Sequence, residues 1–427
     1  MSRRPKPVTH APRRTALARL VESLRRSRAV VDRTRKHLRE RVIFYTLLGA
    51  GIVVWVVAGW PFVKDHLQAI AVLQLVSGKP VPEIVGEFVA TPIHVEDVTL
   101  HVESGEVRAR LYLPLEKDME HPKAPALVVL HGVHHLGIDE PRLKSFAAAM
   151  ASCGIRVLTP ELPDIMDYHV GSGSIKTIGE SAEWFAKRTG GPVGVMGLSF
   201  SGGLALIAAA DPLYHPDFKF VFAVGSQDSM GRVVQYYRTG ADALPDGGSE
   251  ELPAHEYGPL VIEYEYVEDF VPAADVAVIR GVLRAHLYED KGAEAEADAK
   301  LNDAQRAEAK ELMDGYSPKT RAMIAAVSLK HTADMDELSP GSRLAQLTTP
   351  VYLLHGQGDN IIPSAETLWM ASQLSSETLQ AMLVSPVISH IDMDGKDPGA
   401  MDQWRLIHFF ALVMHAIDTP NGRRPLL

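Results

Sequence analysis

The run Val42 to Val63, "VIFYTLLGAGIVVWVVAGWPFV", holds 22 consecutive residues without a charge, flanked by Arg41 and Lys64. Roughly 20 apolar residues cross the hydrocarbon of a bilayer as a helix. A helix buried in a soluble core usually interrupts such a run with polar positions. The run therefore reads as a membrane anchor, with Tyr45 and Trp60 near its ends, where amphipathic rings suit the interface. A cleaved signal peptide is the competing reading, because "VVA" before Gly59 imitates a cleavage site. The apolar region of such a peptide is usually about 7 to 15 residues, shorter than this one.

Charge divides the chain at the same place. The net charge is −10 over 427 residues, yet Met1 to Arg41 carries fourteen Lys/Arg against Glu22, Asp32 and Glu40, near +11, which leaves about −21 for the rest. Apolar residues at Leu17, Leu20, Val21, Leu24, Val31 and Leu38 interleave with the arginines, the pattern of a basic amphipathic helix suited to anionic headgroups and equally of a solvated charged helix or a disordered tail. A basic arm also suits nucleic acid, but the adjoining anchor argues for a membrane partner and no nucleic acid. Eight Lys/Arg from Arg25 to Arg41 precede the run, and Lys64 and Lys79 follow it within a similar distance. That bias places the N-terminus in the cytoplasm and the remainder outside it. Cys153 is the only cysteine, so no intramolecular disulfide forms.

After the anchor, "DHLQAIAVLQLVSG" predicts a short helix, and residues 64–91 form a linker. "IHVEDVTLHV" and "EVRARLYLP" alternate apolar and polar residues around "ESG", a hairpin signal. Apolar strands then alternate with helices: "ALVVL" and Pro141 to Ser152, "IRVLTP" and Ile175 to Arg188, "VGVMG" and Phe200 to Ala210. Alternation of this kind builds a mostly parallel sheet covered on both faces, an α/β fold. Residues 226–347 interrupt it with a Pro/Gly-rich stretch and the polar helical stretch "KGAEAEADAKLNDAQRAEAKELMDGY". "PVYLLHG", a helix near Ala365, "LQAMLVSPV" and a final helix from about Met401 to Ile417 resume it. The expected organisation is a basic arm (1–41), an anchor (42–63), a linker (64–91), a core in two parts (92–225 and 348–427) and a helical cap insertion (226–347).

"VGVMGLSFSGG" puts Ser199 between a strand and a helix, among Gly197, Gly202 and Gly203. A serine nucleophile takes a strained backbone at such a turn, where small neighbours relieve the crowding. The bland alternative is a helix N-cap. Acyl transfer by serine also needs a base, an acid that orients it, and donors for the oxyanion. Asp359 in "LLHGQGDNIIP" follows a strand and is the expected acid, with Asp228 in "GSQDSM" its competitor. His390 in "VISHIDMDG" lies on the last strand-to-helix connection and is the expected base. In "VLHGVHHLG", Gly132 permits a close approach, and the amides of Val133 and Phe200 are the expected oxyanion donors. His131, His134 and His135 also admit a metal reading, but no Cys or carboxylate completes a usual ligand spacing, and neither metal nor cofactor is required.

Together "HGVHHLGIDEPR", "GLSFSGG", "HGQGDNIIP" and "SHIDMDG", in that order over roughly Pro92 to Ile417, resemble the α/β-hydrolase superfamily, and its esterase-like and dienelactone-hydrolase-like members in particular. Ser201, where the elbow usually carries Gly, departs from the pattern and adds a side chain at a crowded point. The resemblance implies a Ser199–His390–Asp359 triad that hydrolyses a small-molecule or lipid carboxylic ester, or a thioester, through an acyl-enzyme. The same scaffold also hosts peptidases and catalytically silent binding proteins.

Overall fold

The computed structural model describes residues 16–115, 124–388 and 399–425. They fall into two compact units, Met1–Pro61 and Phe62–Leu427. The helix α1, Ala16–Val76, begins in the first and ends in the second. Within the first unit the apolar run is bare: Phe44, Leu47 and Val54 are 61%, 67% and 66% exposed. It is one helix long and apolar enough to cross a membrane. So much contiguous apolar surface requires cover by lipid or protein.

In place of a separate helix after the anchor, α1 runs on through Pro61 to Val76. A proline inside a helix costs about 3 kcal/mol. Continuation is favoured because residues 65–72 gain packing within the second unit. Ala69 and Val72 are buried there, Asp65 pairs with His415 at 3.1 Å, and His66 Nε2 meets His408 Nδ1 at 3.1 Å.

The second unit is built on an eight-stranded sheet. Its strands in chain order are β1 (Ile93–Val102), β2 (Gly105–Pro114), β3 (Ala126–Leu130), β4 (Arg156–Pro160), β5 (Val193–Leu198) and β6 (Phe218–Val224). A small separate hairpin follows, β7 (Ala241–Ala243) and β8 (Ser249–Glu251), and then β9 (Val351–Gly356) and β10 (Leu379–Ser385) complete the sheet. The spatial order is β1-β2-β4-β3-β5-β6-β9-β10. β1 and β2 form the expected hairpin, closing at Val102 opposite Gly105, and β2 runs antiparallel to β4. From β4 through β10 every neighbour is parallel.

The central strands read as unbroken apolar runs because both of their faces are buried. Successive residues serve opposite layers: Leu127, Val129, Phe220, Phe222, Tyr352 and Leu354 belong to one core, and Val128, Leu130, Val221, Ala223, Val351 and Leu353 to the other. Numbering helices of eight residues or more, α2 (Pro141–Ser152) covers the first layer and α3 (Ser172–Thr189) and α4 (Phe200–Ala210) the second. Between β6 and β9 come α5 (Met230–Thr239), α6 (Tyr257–Glu265), α7 (Val276–Leu287), α8 (Lys291–Asp298), α9 (Asp303–Asp314) and α10 (Pro318–Lys330). α11 (Ala365–Gln373) and α12 (Ala400–Asp418) end the chain, α12 joining the first layer.

The β6–β9 insertion shares its apolar interior with the second layer through Leu260, Ile262, Tyr264, Ile279, Val282 and Leu283. The polar α8 is the exception and buries no residue. This strand order, with its antiparallel first hairpin and its strand–Ser–helix turn after β5, is the α/β-hydrolase fold.

Candidate active site

Ser199 sits between the last residue of β5 and the first of α4 with φ 55° and ψ −135°. A non-glycine residue with positive φ costs on the order of 1–3 kcal/mol and persists where its surroundings enforce it. Here the enforcement is visible. The Ser199 amide donates to the Val224 carbonyl at 2.8 Å, which pins the turn to β6. An added Cβ at Gly197 would stand 2.4 Å from the Gly202 Cα, and one at Gly202 would stand 2.0 Å from Ser226 Oγ. α4 therefore leaves the strand at backbone contact.

Ser201, which the sequence places at a crowded point, has room. It is fully buried, and its hydroxyl donates to the His131 carbonyl at 2.6 Å. The crowding falls one and two residues later, on Gly202 and Gly203.

That His131 carbonyl opens the loop after β3. A Cβ at Gly132 would lie 3.4 Å from the Ser199 Cβ and 3.6 Å from the Leu198 carbonyl oxygen, so the loop rests directly on the elbow. His131 is buried, and its Nε2 accepts from the Leu162 amide at 3.0 Å, which fixes the ring proton on Nδ1, 2.8 Å from the Gly132 carbonyl. With both ring nitrogens committed to backbone, His131 is a loop brace and is not free to ligate a metal. Val133 is partly buried and Phe200 buried.

Burial pushes the His131 pKa down to about 4 from an ordinary 6.5. The unfolded chain therefore binds the proton that the folded chain refuses. The resulting stability is fully present above about pH 6.5 and is lost as pH falls toward 4. A tenfold difference in proton affinity between the two states is worth about 1.36 kcal/mol, which makes the whole effect about 3 kcal/mol. Melting curves of wild type and His131→Gln between pH 4 and 7 should show this steep limb flattened in the variant.

Asp359 follows β9 and is buried. Its Oδ1 accepts from the Ile361 and Ile362 amides, each at 3.0 Å, so the carboxylate is held by its own turn. His355, a residue that sequence reading passed over, braces the same turn. Its Nε2 lies 2.8 Å from the Ile362 carbonyl and 3.4 Å from Asp359 Oδ2, and Nδ1 lies 2.7 Å from Thr367 Oγ1.

Asp228, the competing acid, is engaged through one oxygen, Oδ2, while its buried Oδ1 has no hydrogen-bond partner among the described residues. Its Oδ2 accepts from Arg232 at 2.6 Å and from Gln373 at 3.0 Å. Arg232 also donates to Glu366 at 2.8 Å, and Glu366 accepts from the Asp228 and Ser229 amides. His390, the expected base, lies outside the described residues.

A second cluster, of which the sequence reading singled out the two histidines but not their partner Tyr288, stands at the far end of the β3 loop. His134 stacks on His135 with centroids 4.7 Å apart, and His135 stacks on Tyr288 of the insertion at 5.1 Å. Among the described residues three non-glycines have positive φ: Ser199, Tyr168 and Glu289. Tyr168 packs against Tyr288, and Glu289 adjoins it in sequence. No glycine marks these two positions, so the sequence carries no signal for them.

No protein-family model and no curated protein sequence matches the chain. Distantly similar solved structures include a putative lipase from Acinetobacter baumannii (13% identity, TM-score 0.39, covering 75% of this chain and 89% of that one). An esterase from Pyrobaculum calidifontis shows 15% identity and a TM-score of 0.40 over 78% and 88%. An acylaminoacyl peptidase from Pyrococcus horikoshii shows 13% identity and 0.44 over 78% and 43%. At these values the fold assignment rests on the strand order and the elbow described above.

Proposed function

We propose that the chain is a membrane-anchored serine hydrolase of carboxylic esters. The observation that carries this reading is the Ser199 backbone, held at φ 55° by close-packed glycines while the β3 loop lies against it. A helix N-cap ordinarily has extended backbone, so capping does not account for such strain. Ser199 Oγ attacks the ester carbonyl, His390 takes its proton and returns it to the leaving alcohol, and Asp359 orients the imidazole. The amides of Val133 and Phe200 hold the oxyanion. Water then releases the acid by the same route in reverse. Nothing in this sequence of steps calls for a cofactor.

The test is treatment with a fluorophosphonate probe followed by peptide mapping, alongside turnover of a panel of esters, amides and lactones. Labelling of the Ser199 peptide with ester turnover supports the proposal; preference for amides makes it a peptidase, and tight ligand binding with neither labelling nor turnover makes it a binding protein. The basic arm before Val42 supports a cytoplasmic N-terminus with the Ser199 unit on the opposite side. Protease added to sealed inside-out vesicles should then remove only about the first forty residues, whereas digestion of the Ser199 unit would reverse the orientation.

A further inference from the structure

The β3 loop is held at two ends by different parts of the molecule. At His131 the core holds it, through the Leu162 amide and the Ser201 hydroxyl. At His134 and His135 the insertion reaches it through the ring of Tyr288, which lies 5.1 Å from His135 with the planes 21° apart. Val133 stands between these two attachments. Tyr288 is itself held firmly. Its hydroxyl donates to Asp167, whose Oδ1 also accepts from Arg284 Nε at 2.7 Å, and the Arg284 guanidinium lies over the ring at 4.2 Å. The Tyr168 ring packs against that of Tyr288 with centroids 5.7 Å apart. Tyr257 donates to the carboxylate of Glu289, fixing the residue after Tyr288.

We propose that Tyr288 is a positioning residue for the oxyanion site: by stacking on His135 it fixes the loop that presents the Val133 amide, so the insertion completes the catalytic geometry of the core. The inference rests on the serine hydrolase reading. Its physical basis is that an oxyanion donor works only when aimed in advance at the developing charge, and the two strained backbones at Tyr168 and Glu289 flank the residue that does the aiming. A ring that merely lined a substrate pocket would need neither the Asp167–Arg284 grip nor a partner in the loop.

The experiment compares Tyr288→Leu, which fills the space without a flat face, with Tyr288→Phe, which keeps the face and loses the hydroxyl. On a short-chain p-nitrophenyl ester, Tyr288→Leu should lower kcat by about 10- to 100-fold, the scale of a misplaced catalytic group. KM should change less than about threefold, and affinity for a trifluoromethyl ketone analogue should fall in parallel with kcat. Tyr288→Phe keeps the stack on His135 but gives up the hydroxyl's contact with Asp167, so it should recover part of the loss. A folded Tyr288→Leu enzyme with wild-type kcat, or one altered in KM alone, overturns the proposal. If Tyr288→Leu does not fold, His135→Leu takes its place with the same expected split and the same overturning result. Fluorophosphonate labelling of Ser199 in the wild type is scored separately, so failure of the serine hydrolase reading is distinguishable from failure of this one.

Discussion

Replacing Ser199 by alanine should reduce ester turnover by on the order of 10⁴- to 10⁶-fold, because a nucleophile and its base act as a unit and removing one member removes nearly all that they do together. A residual acceleration from binding and from the oxyanion donors is expected to survive. The fold should survive as well: alanine at φ 55° carries the same backbone strain as serine, so the melting temperature should barely move. Ser199→Gly separates the two effects. Glycine takes positive φ without penalty, so this variant should be equally inactive yet more stable by about 1 kcal/mol. Initial rates on a p-nitrophenyl ester and melting curves on the same preparations check both halves. An active Ser199→Ala enzyme would remove the nucleophile from the proposal, and a Ser199→Gly enzyme no more stable than wild type would remove the strain argument.

Asp359→Asn should lower kcat by about 10⁴-fold with little change in fold. The asparagine oxygen can keep the contacts with the Ile361 and Ile362 amides, so the turn is retained. Its amide then presents hydrogens where the imidazole needs an acceptor, and the base is held in the wrong tautomer. Asp228→Asn is the matched control. It weakens the ion pair with Arg232 inside the Glu366 network, so it should cost stability and leave kcat near wild type. The opposite pattern, with Asp228→Asn silent in melting and severe in turnover, would transfer the acid's role to Asp228.

The parts of this molecule that the sequence discloses are those where one physical demand acts on consecutive residues. β3, β5, β6 and β9 are legible because burial on both faces demands an unbroken apolar run, and the hairpin because β2 alternates buried Val107, Ala109 and Leu111 with outward Glu106, Arg108 and Arg110. Ser199 is legible because close packing demands glycine at 197, 202 and 203. The continuity of α1 is less so: Pro61 and the change in polarity after Val63 suggest a break, and only packing of Ala69 and Val72 on the core makes one helix of it. The Tyr288–His135 stack joins residues 153 positions apart, and no local periodicity encodes such a pairing. Tyr168 and Glu289 adopt positive φ without the residue type that announces it. His355 looks like one more polar interruption of a strand until its contacts with Thr367 and Ile362 are seen.

The hydroxyl of Ser201 has a consequence for how chains of this kind are found. In this elbow the fifth position of the motif is not the point of closest approach; it faces a carbonyl that welcomes a donor, while the two residues after it face backbone and side chains with no space to yield. A pattern that insists on glycine at the fifth position discards sequences that satisfy every steric requirement. A pattern that fixes Gly197, Ser199, Gly202 and Gly203 and admits Gly, Ala or Ser at 201 follows the packing instead. Sequences gathered that way should keep the two glycines even where the fifth position drifts.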